Sequence, residues 1–500
     1  DALTRRRPLH LERVEIAGPG FLNLHLTPTW AGEVVRSVVL AGASFGHGDE
    51  LGGQRINLEF VSTNPTGPIH AGGGRWAAIG DALANLLAAR GAEVHREYLL
   101  NDAGSQLGAF GRSLFARYLG EEPPEDGYQG VYVVEMAERL RTELGDELDL
   151  GGVLEWGYRD VVRQAREDLE RLGVRFNTWF SERSLHRRGD VDRVVALLDE
   201  QDHMETRDGA RWLRASALGD TRDRVLVRSD GVPTYLAADL AYHADKFARG
   251  FNHLIDIWGA DHHGQVRSLQ VGIAALGFPE GEPEVILGQL VSLQRSGQPV
   301  RMSKRGGEMV TLADVLDEVD PDVCRLIFLL QGIDTAQTID LALVAAQSAE
   351  NPVYYLQYAH ARIASISRRA DGLGVTRLPL DEVDLAALGN DFELDLARSL
   401  SVYPAMVAEA AELRAPHRVT GWARDLAGRF HRFYNECRVV GEDPAQTQAR
   451  LWLVEACRVG LSSALSILGV SAPEAMGRGS PPEELVEERT GPAVPGQAAT

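Results

Sequence analysis

The sequence is poor in cysteine, has a deficit of positive charge and contains no long apolar run. Its three cysteines, Cys324, Cys437 and Cys457, lie far apart without metal-ligand spacing, so we expect small buried side chains in a reducing compartment. No stretch approaches the roughly 18 consecutive apolar residues of a membrane span. No signal peptide is visible, although a first residue of Asp1 rather than Met leaves open the possibility that a leader was removed. These absences predict a soluble cytoplasmic protein with no membrane partner.

The charge balance is acidic, since 51 basic residues face 72 acidic ones and the net charge is -21. Generic binding to polyanions is therefore disfavoured. A nucleic acid held by local basic patches stays possible, because affinity follows the local field rather than the total charge. The 500 residues, 44% of them hydrophobic, predict roughly two to four domains.

The first half of the chain carries the pattern of a parallel sheet. The stretch 14–26 predicts two short strands around a Gly-Pro-Gly turn, too little for a domain, so residues 1–30 are interpreted as the remnant of an N-terminal domain. Apolar strands are predicted at 55–61 and 92–100, with a glycine-rich loop and an amphipathic helix between them. Such a strand–loop–helix–strand unit makes a parallel sheet.

The rest of the chain divides by composition. Residues 121–215 are charged and mainly helical in pattern, and are interpreted as an insertion. Parallel-sheet signals resume at three stretches: 223–229, 253–259 and 284–293. The pattern beyond about residue 350 is helical, and residues 477–500 lack periodicity and predict a disordered tail.

The glycine-rich loop, NPTGPIHAGGGRWAAIGDAL (64–83), places a histidine and three glycines before a predicted helix. Helix N-termini attract phosphate, and ligands of doubly wound sheets lie beyond the carboxyl ends of strands. Neither G-x-G-x-x-G nor G-x-x-x-x-G-K-[ST] occurs here, so the common nucleotide loops do not apply. Arg75, just inside the helix, favours an anionic neighbour such as phosphate or tRNA, with a surface salt bridge as the alternative. Alone, the loop could equally be an ordinary glycine turn.

A second loop, PVRMSKRGGEMVTL (299–312), carries Arg301, Lys304 and Arg305 ahead of two glycines. A mobile loop with a lysine can close on a triphosphate and neutralise charge that develops during transfer. The alternative interpretation of this loop is an ordinary solvent-exposed basic turn. The two loops together, both after predicted strands, are more specific than either alone.

These stretches, with EFVSTNPTGPIHAGG, DIWGADHHG, RMSKRGG and NPVYYLQYAHAR as the clearest, resemble class I aminoacyl-tRNA synthetases, and arginyl-tRNA synthetases most closely. The resemblance runs from about residue 14 to 476. It implies an α/β Rossmann-type catalytic domain with a doubly wound parallel sheet over 31–349, and an all-α helical-bundle anticodon-binding domain over 350–476. It also implies ATP-dependent attachment of L-arginine to the 3′-terminal adenosine of tRNA(Arg) through an arginyl-adenylate, releasing AMP and pyrophosphate.

Three departures from the family pattern stand out. The last histidine of the His-x-Gly-His signature is Gly73, the first residue of the Lys-Met-Ser-Lys signature is Arg301, and the N-terminal domain is represented by its final strands alone. An alternative interpretation is therefore a synthetase-like protein that binds tRNA or an amino acid and has lost catalysis. We further expect a monomer, Mg²⁺ that enters only with ATP, and no structural zinc.

Candidate arginine ligands follow from the chemistry of a guanidinium, which favours carboxylates and aromatic faces. Tyr235 and Asp239 are four residues apart and share a helix face. Glu59 lies in an apolar strand, where a cationic ligand or a protein cation would relieve its charge. The resemblance implies that these three select the side chain, while Ser62 and Asn64 hold the backbone end. A core aromatic and a capped or ion-paired acid are the alternatives for Tyr235 and Asp239.

For ATP, Gly259 would admit the adenine and Asp261 would bind the ribose. Adjacent histidines such as His262 and His263 point apart, which disfavours a metal. The resemblance makes His70 and Lys304 the catalytic, charge-stabilising residues and gives the ATP-binding set as His70, Gly72, Gly73, Gly259, Asp261, His262, Met302, Ser303 and Lys304.

The helical part is expected to meet tRNA. Stretches 351–369 and 429–438 place aromatic residues beside basic ones, and such residues stack on unpaired bases and contact phosphates. Tyrosines of a helix-bundle core are the alternative. The predicted contacts are Tyr358, Arg362, Arg432, Tyr434 and Arg438.

Overall fold

A computed structural model describes residues 8–289, 291–299, 310–345, 352–441 and 443–475. It begins with the two predicted short strands, which form an antiparallel hairpin, followed by a helix: β1 (Leu11–Ala17), β2 (Phe21–Leu26) and α1 (Trp30–Ala41). The predicted strand–loop–helix–strand unit follows as β3 (Arg55–Glu59), α2 (Ala71–Ala89) and β4 (Glu93–Leu100).

The segment predicted as a helical insertion contains four complete helices and part of the main sheet. Helices α4 (Val131–Leu144) and α5 (Leu150–Arg171) pack on α3 (Ser105–Tyr118), whereas α6 (Glu182–Arg188) and α7 (Asp190–Glu200) pack on each other. The short strand β5 (Thr178–Ser181) lies between α5 and α6 and pairs in parallel with β4. The segment is therefore not a pure insertion, because it supplies an edge strand.

The next part returns the chain to the sheet. It consists of β6 (Met204–Arg207), β7 (Ala210–Leu213), β8 (Arg224–Val227), α8 (Tyr235–Ala248), β9 (His253–Gly259), α9 (His263–Ala275) and β10 (Glu284–Gly288). The prediction of a parallel strand at 223–229 is wrong, since β8 pairs antiparallel with β7 in a separate three-stranded sheet. Short reversals place β6, β7 and β8 side by side, without the crossover helix that parallel pairing requires.

The main sheet has the order β10-β9-β3-β4-β5, and every pairing in it is parallel. This confirms the predicted doubly wound α/β class. The predicted strand at 284–293 is in fact two strands, because the chain leaves the main sheet after β10. The elements that follow are β11 (Val291–Arg295), β12 (Gln298–Pro299), α10 (Leu312–Glu318), α11 (Pro321–Phe328), β13 (Gln337–Asp340) and α12 (Leu341–Ala345).

The remainder is helical, as predicted: α13 (Pro352–Gly372), α14 (Asp391–Glu412), α15 (His417–Glu436) and α16 (Pro444–Leu468). Helix α16 is long and apolar enough to cross a membrane, yet 67% of the relevant window is buried, where α16 packs on α1, α2 and the other helices of the bundle. Buried Arg325 links the α/β part of the chain to the helical part. Its guanidinium donates to Asp81 Oδ2 in α2 at 2.6 Å and to the carbonyl of Leu468, the last residue of α16, at 3.1 Å.

Candidate active site

The chain crosses the carboxyl edge of the sheet immediately after β3 in a strained conformation. Val61 has a φ of 70° and Ser62 a φ of 41°, in the left-handed region that a β-branched residue rarely adopts. The turn is held because Ser62 Oγ accepts the Leu99 N–H at 3.0 Å. Asn64 Nδ2 donates to Gln106 Oε1 at 2.9 Å. The two predicted binders of the amino-acid backbone end thus lie at the edge where ligands of such sheets bind.

His70 is the N-cap of α2, and its Nδ1 accepts the Gly73 N–H at 3.2 Å. The predicted glycine loop is therefore shorter than expected, because Gly72, Gly73 and Gly74 form the first turn of the helix. Their small size permits close packing: a Cβ on Gly74 would lie 2.8 Å from Leu312 Cδ1. The helix start, with His70 over it, is the arrangement expected for phosphate.

The segment after the second loop lies against His70. The Ala71 N–H donates to the Val310 carbonyl at 3.0 Å, the Leu312 N–H donates to the Ile69 carbonyl at 2.8 Å, and His70 forms a bridge with Thr311. The predicted residues Arg301, Met302, Ser303, Lys304 and Arg305 lie outside the described residues. The described residues that follow this segment, 310–312, lie against the start of the first loop.

Arg75 does not face an anion at the surface, so the prediction of a phosphate or tRNA neighbour is wrong. The side chain is 2% exposed, and its guanidinium donates to the Gly332 carbonyl at 2.7 Å and to the Gln289 carbonyl at 3.5 Å. Burial lowers the pKa of Arg75, opposed by Asp334. Arg75 fastens the start of α2 to neighbouring chain segments, which explains a cation near a helix N-terminus.

Tyr235 and Asp239 occupy the first two turns of α8, one helical turn apart. Tyr235 is 69% exposed, which argues against a core aromatic, and its hydroxyl lies 3.6 Å from the position of a Cβ on Gly104. Asp239 is partly buried and makes no side-chain ion pair within the described ranges. Burial raises its pKa to about 6, with His243 opposing and Glu59 adding to the shift. A ring beside an unpaired acid suits a guanidinium.

Glu59 meets a protein cation, one of the two possibilities that its sequence context left open. Lys246 Nζ lies 2.8 Å from Glu59 Oε2 and 2.8 Å from Asp256 Oδ1, and Lys246 is fully buried. His243 Nε2 lies 2.6 Å from Asp256 Oδ2. Burial alone would lower the pKa of Lys246, but the carboxylates of Asp256 and Glu59 raise it above its ordinary value. The charges of this cluster lie close enough to Asp239 to shift its pKa.

Glu182 was missed by the sequence-based reasoning. It is the first residue of α6, directly after β5, and is partly buried. Burial, with the carboxylates of Asp239 and Asp102, raises its pKa to about 7. Its signal was a carboxylate following a strand, but β5 has four residues and lies in a charged segment, so the strand was not recognised.

The predicted ATP residues after β9 lie at the same edge of the sheet. Gly259 ends the strand, and a Cβ there would collide with Asp261 Oδ1, so the glycine leaves room for this carboxylate. Asp261 and His262 are exposed, with Oδ2 and Nε2 3.6 Å apart. Within the described ranges, no three histidine, cysteine or acidic side chains come together as a metal site.

Three of the five predicted tRNA residues, Tyr358, Arg362 and Tyr434, meet where α13 packs on α15. The Arg362 guanidinium lies 5.1 Å from the ring centre of Tyr358 and 4.5 Å from that of Tyr434, which places a cation between two rings. Arg432 within α15 and Arg438 just beyond its end are exposed, and Arg432 lies 3.9 Å from Asp395. Stacked rings with exposed arginines suit unpaired bases and phosphates.

Known proteins share both parts of this architecture. Residues 356–476 match the family described as the DALR anticodon binding domain. The chain is 50% identical to an arginine–tRNA ligase of Syntrophotalea carbinolica, over 93% of this chain and 86% of that one. An arginyl-tRNA synthetase structure from Campylobacter jejuni has a TM-score of 0.82 at 33% identity, covering 90% of this chain and 100% of that one. One from Thermus thermophilus has a TM-score of 0.76 at 22% identity, covering 95% and 90%.

A parallel sheet with a histidine-capped helix at its carboxyl edge, followed by a helical anticodon-binding domain, defines a class I aminoacyl-tRNA synthetase. Several arginine–tRNA ligases are 45–50% identical to this chain over most of its length, which identifies the family within this class. The chain belongs to the arginine–tRNA ligase family, whose members attach arginine to tRNA.

Proposed function

We propose that the chain joins L-arginine to the 3′-terminal adenosine of tRNA(Arg) in two steps, by way of an arginyl-adenylate. The arginine carboxylate attacks the α-phosphate of ATP and pyrophosphate leaves. The arginyl group then passes to the ribose hydroxyl of tRNA and AMP leaves. The observation that carries the proposal is the pairing of the family relationship with a cation-accepting pocket built by Tyr235 and Asp239.

No protein nucleophile is needed, so catalysis consists of positioning and charge stabilisation. His70, at the start of α2, and Lys304 stabilise the charge that develops on the phosphates. The hydrogen bonds of Ala71 and Leu312 support a shared location for the two loops. The alternative of an inactive binding protein rests on Gly73. The positive end of the α2 helix dipole offsets the missing histidine donor.

The substrate arginine lies across the carboxyl edge of the sheet. Its side chain extends to Tyr235 and Asp239, and its backbone end lies near Ser62 and Asn64. Glu59 is paired with Lys246, so it acts on the substrate side chain indirectly, through its charge near Asp239.

MgATP enters as a substrate whose metal is held by phosphates and water, as is usual for Mg²⁺. The purine lies at Gly259 and the ribose at Asp261 and His262. The triphosphate lies between the start of α2, with Gly72 and Gly73, and the Met302-Ser303-Lys304 segment.

The face of α13 and α15 built by Tyr358, Arg362 and Tyr434 binds the anticodon region, assisted by Arg432 and Arg438. The protein acts in the cytoplasm as a monomer. Under this proposal the half-buried Tyr358, Arg362 and Tyr434 and the exposed Arg432 and Arg438 are ligands rather than parts of the bundle core.

Exchange of labelled pyrophosphate into ATP tests the reaction directly. We expect exchange that requires arginine and is stimulated by saturating tRNA(Arg), and no exchange with lysine or citrulline. Folded protein that binds tRNA but gives no exchange would support the alternative of an inactive binding protein.

A further inference from the structure

We propose that Tyr98 is a positioning residue for the substrate arginine, because its buried hydroxyl holds the turn after β3 in the form that binds the backbone end of the amino acid. This role rests on the proposed function, which places that end near Ser62 and Asn64. Three structural observations support it: the strained backbone of the turn, the hydrogen bonds of the Tyr98 hydroxyl, and the tight packing of its ring.

The turn after β3 is strained at two successive residues. Val61 has a φ of 70° and Ser62 a φ of 41°. Both carry side chains, so the left-handed region is unfavourable for them, most of all for the β-branched Val61. Such strain persists where surrounding contacts fix the backbone. The contacts that hold this turn therefore decide where Ser62 and Asn64 lie.

Tyr98, in β4, holds the turn through one atom. Its hydroxyl oxygen accepts the Thr63 N–H at 3.2 Å and lies 2.8 Å from the Thr63 hydroxyl, with which it shares a second hydrogen bond. The residues that follow hold Ser62: its Oγ accepts the Leu99 N–H, and its carbonyl accepts a hydrogen bond from Asn101 Nδ2 at 3.4 Å. Because Thr63 stands between the two predicted binders, the Tyr98 hydroxyl fixes the backbone from which both side chains project.

The Tyr98 ring is packed so that the hydroxyl stays in place. The residue is 2% exposed, its ring stacks on that of Trp179 with centroids 4.2 Å apart, and it meets the Phe176 ring edge-on at 5.4 Å. The Arg166 guanidinium of α5 lies 4.8 Å from the centre of the Trp179 ring. Burial raises the pKa of Tyr98, so the hydroxyl keeps its proton at neutral pH. A fixed, neutral hydroxyl beside a strained turn is suited to holding it.

Loss of the hydroxyl would free the turn and leave the ring packing intact. Phenylalanine keeps the stacked ring, but Thr63 loses its partner and the turn can relax out of the strained form. Arginine then binds the fraction of molecules in which the turn is still strained, and its apparent affinity falls by that fraction. MgATP binding is not affected, because Gly259 and Asp261 follow β9, which is separated from β4 by β3.

Isothermal calorimetry on the full chain tests the proposal, with arginine and agmatine, which lacks the carboxylate, as titrants. We expect Tyr98→Phe to weaken arginine binding about 10-fold, the scale of two lost hydrogen bonds. Agmatine should lose less, so the preference for arginine over agmatine should fall, while the affinity for MgATP stays unchanged. Tyr403→Phe is the matched control and should bind arginine like the parent. Tyr403 is fully buried, and its hydroxyl lies 3.0 Å from Ser463 Oγ in the helical part.

A double-mutant cycle tests whether the hydroxyl acts through Thr63. Thr63→Val removes the shared side-chain bond and keeps the N–H, so we expect arginine binding to weaken about 3-fold. In that background Tyr98→Phe should cost a further factor of about 3 rather than about 10, because one of its two bonds has already been lost. Thr63→Ser keeps the hydroxyl and should bind arginine like the parent.

Thr63→Val also covers the case in which Tyr98→Phe does not fold. Parental arginine affinity in a folded Tyr98→Phe protein would overturn the proposal, as would equal losses for arginine and agmatine. If Tyr98→Phe does not fold, parental affinity in a folded Thr63→Val protein would overturn it. Fully additive losses in the double variant would overturn the route through Thr63. Absence of pyrophosphate exchange in a parent that binds arginine would instead overturn the proposed function, so the two failures are distinguishable.

Discussion

Lys246 provides the sharpest test of how the arginine pocket is built. The chain contains two lysines, Lys246 and Lys304, among 51 basic residues, so a lysine at a buried position stands out in a chain that otherwise uses arginine. Its ammonium contacts Glu59 and Asp256 at 2.8 Å each, with no exposure to solvent. Lys246→Met keeps the approximate length of the side chain and removes the charge.

The expected cost follows from what the substitution leaves behind. Two carboxylates at 0% and 5% side-chain exposure lose their shared cation, and breaking such a buried pair costs about 3–5 kcal/mol. The thermal midpoint of the catalytic part should fall by about 5–10 °C. The KM for arginine should rise, since the loss of Lys246 changes the charges that act on Asp239.

The pH dependence separates charge loss from lost packing. The raised pKa of Lys246 makes its contribution fully present below the pKa of an unfolded lysine, about 10.4, and the lowered pKa of Asp256 makes its contribution present above about 3.9. Parental stability from these groups is therefore constant between pH 5 and 8. In Lys246→Met the carboxylates left without the ammonium take up protons on acidification, so the loss of stability should shrink from pH 8 to pH 5.

Thermal melts of the parent, Lys246→Met and Lys246→Arg across this pH range provide the measurement. Lys246→Arg keeps the charge, so its loss of stability relative to the parent should not vary with pH. Some loss is expected because the larger guanidinium crowds the buried site of Lys246. A Lys246→Met deficit that is the same at pH 5 and pH 8 would refute the charge argument.

Three further predictions concern catalysis. Lys304→Ala should lower the rate of arginylation by on the order of 10²-fold with little change in arginine affinity, because the residue stabilises the transition state; an unchanged turnover number would remove it from the mechanism. Asp239→Asn should weaken arginine binding by roughly 2–5 kcal/mol while MgATP binding holds, and calorimetry that finds equal arginine affinity would contradict this. Gly73 should be compatible with activity, because one charge-assisted donor is worth roughly 1.5–3 kcal/mol, or roughly 10- to 150-fold in rate. Pyrophosphate exchange by the unmodified chain at saturating tRNA measures this, and folded, tRNA-binding protein without exchange would show that Gly73 marks an inactive chain.

Local sequence alone was enough for the parts of the protein that are encoded in short contiguous stretches. Apolar runs located β3, β4 and β9, and helical periodicity after residue 350 indicated the bundle. The two loop signatures pointed to the family, because each is a contiguous segment whose glycines and charges can be recognised without knowing what packs on them. The spacing of Tyr235 and Asp239 placed both on one helix face, since helical geometry is local.

Tertiary structure decided how charges are paired, which depends on residues distant in sequence. Glu59 meets Lys246 across 187 positions, so its sequence context left a ligand and a protein cation equally open. Arg75 donates to carbonyls more than 200 positions away, which reverses the prediction of an anionic neighbour.

The same holds for elements whose own signal is weak. Strand β5 has four residues and forms because β4 offers it an edge, so the position of Glu182 could not be predicted. Direction of pairing is likewise not local, and β8 joins an antiparallel sheet although its apolar run resembles a parallel strand. Sequence determined which groups are available for the chemistry, and long-range packing determined which of them remain free to meet the substrate.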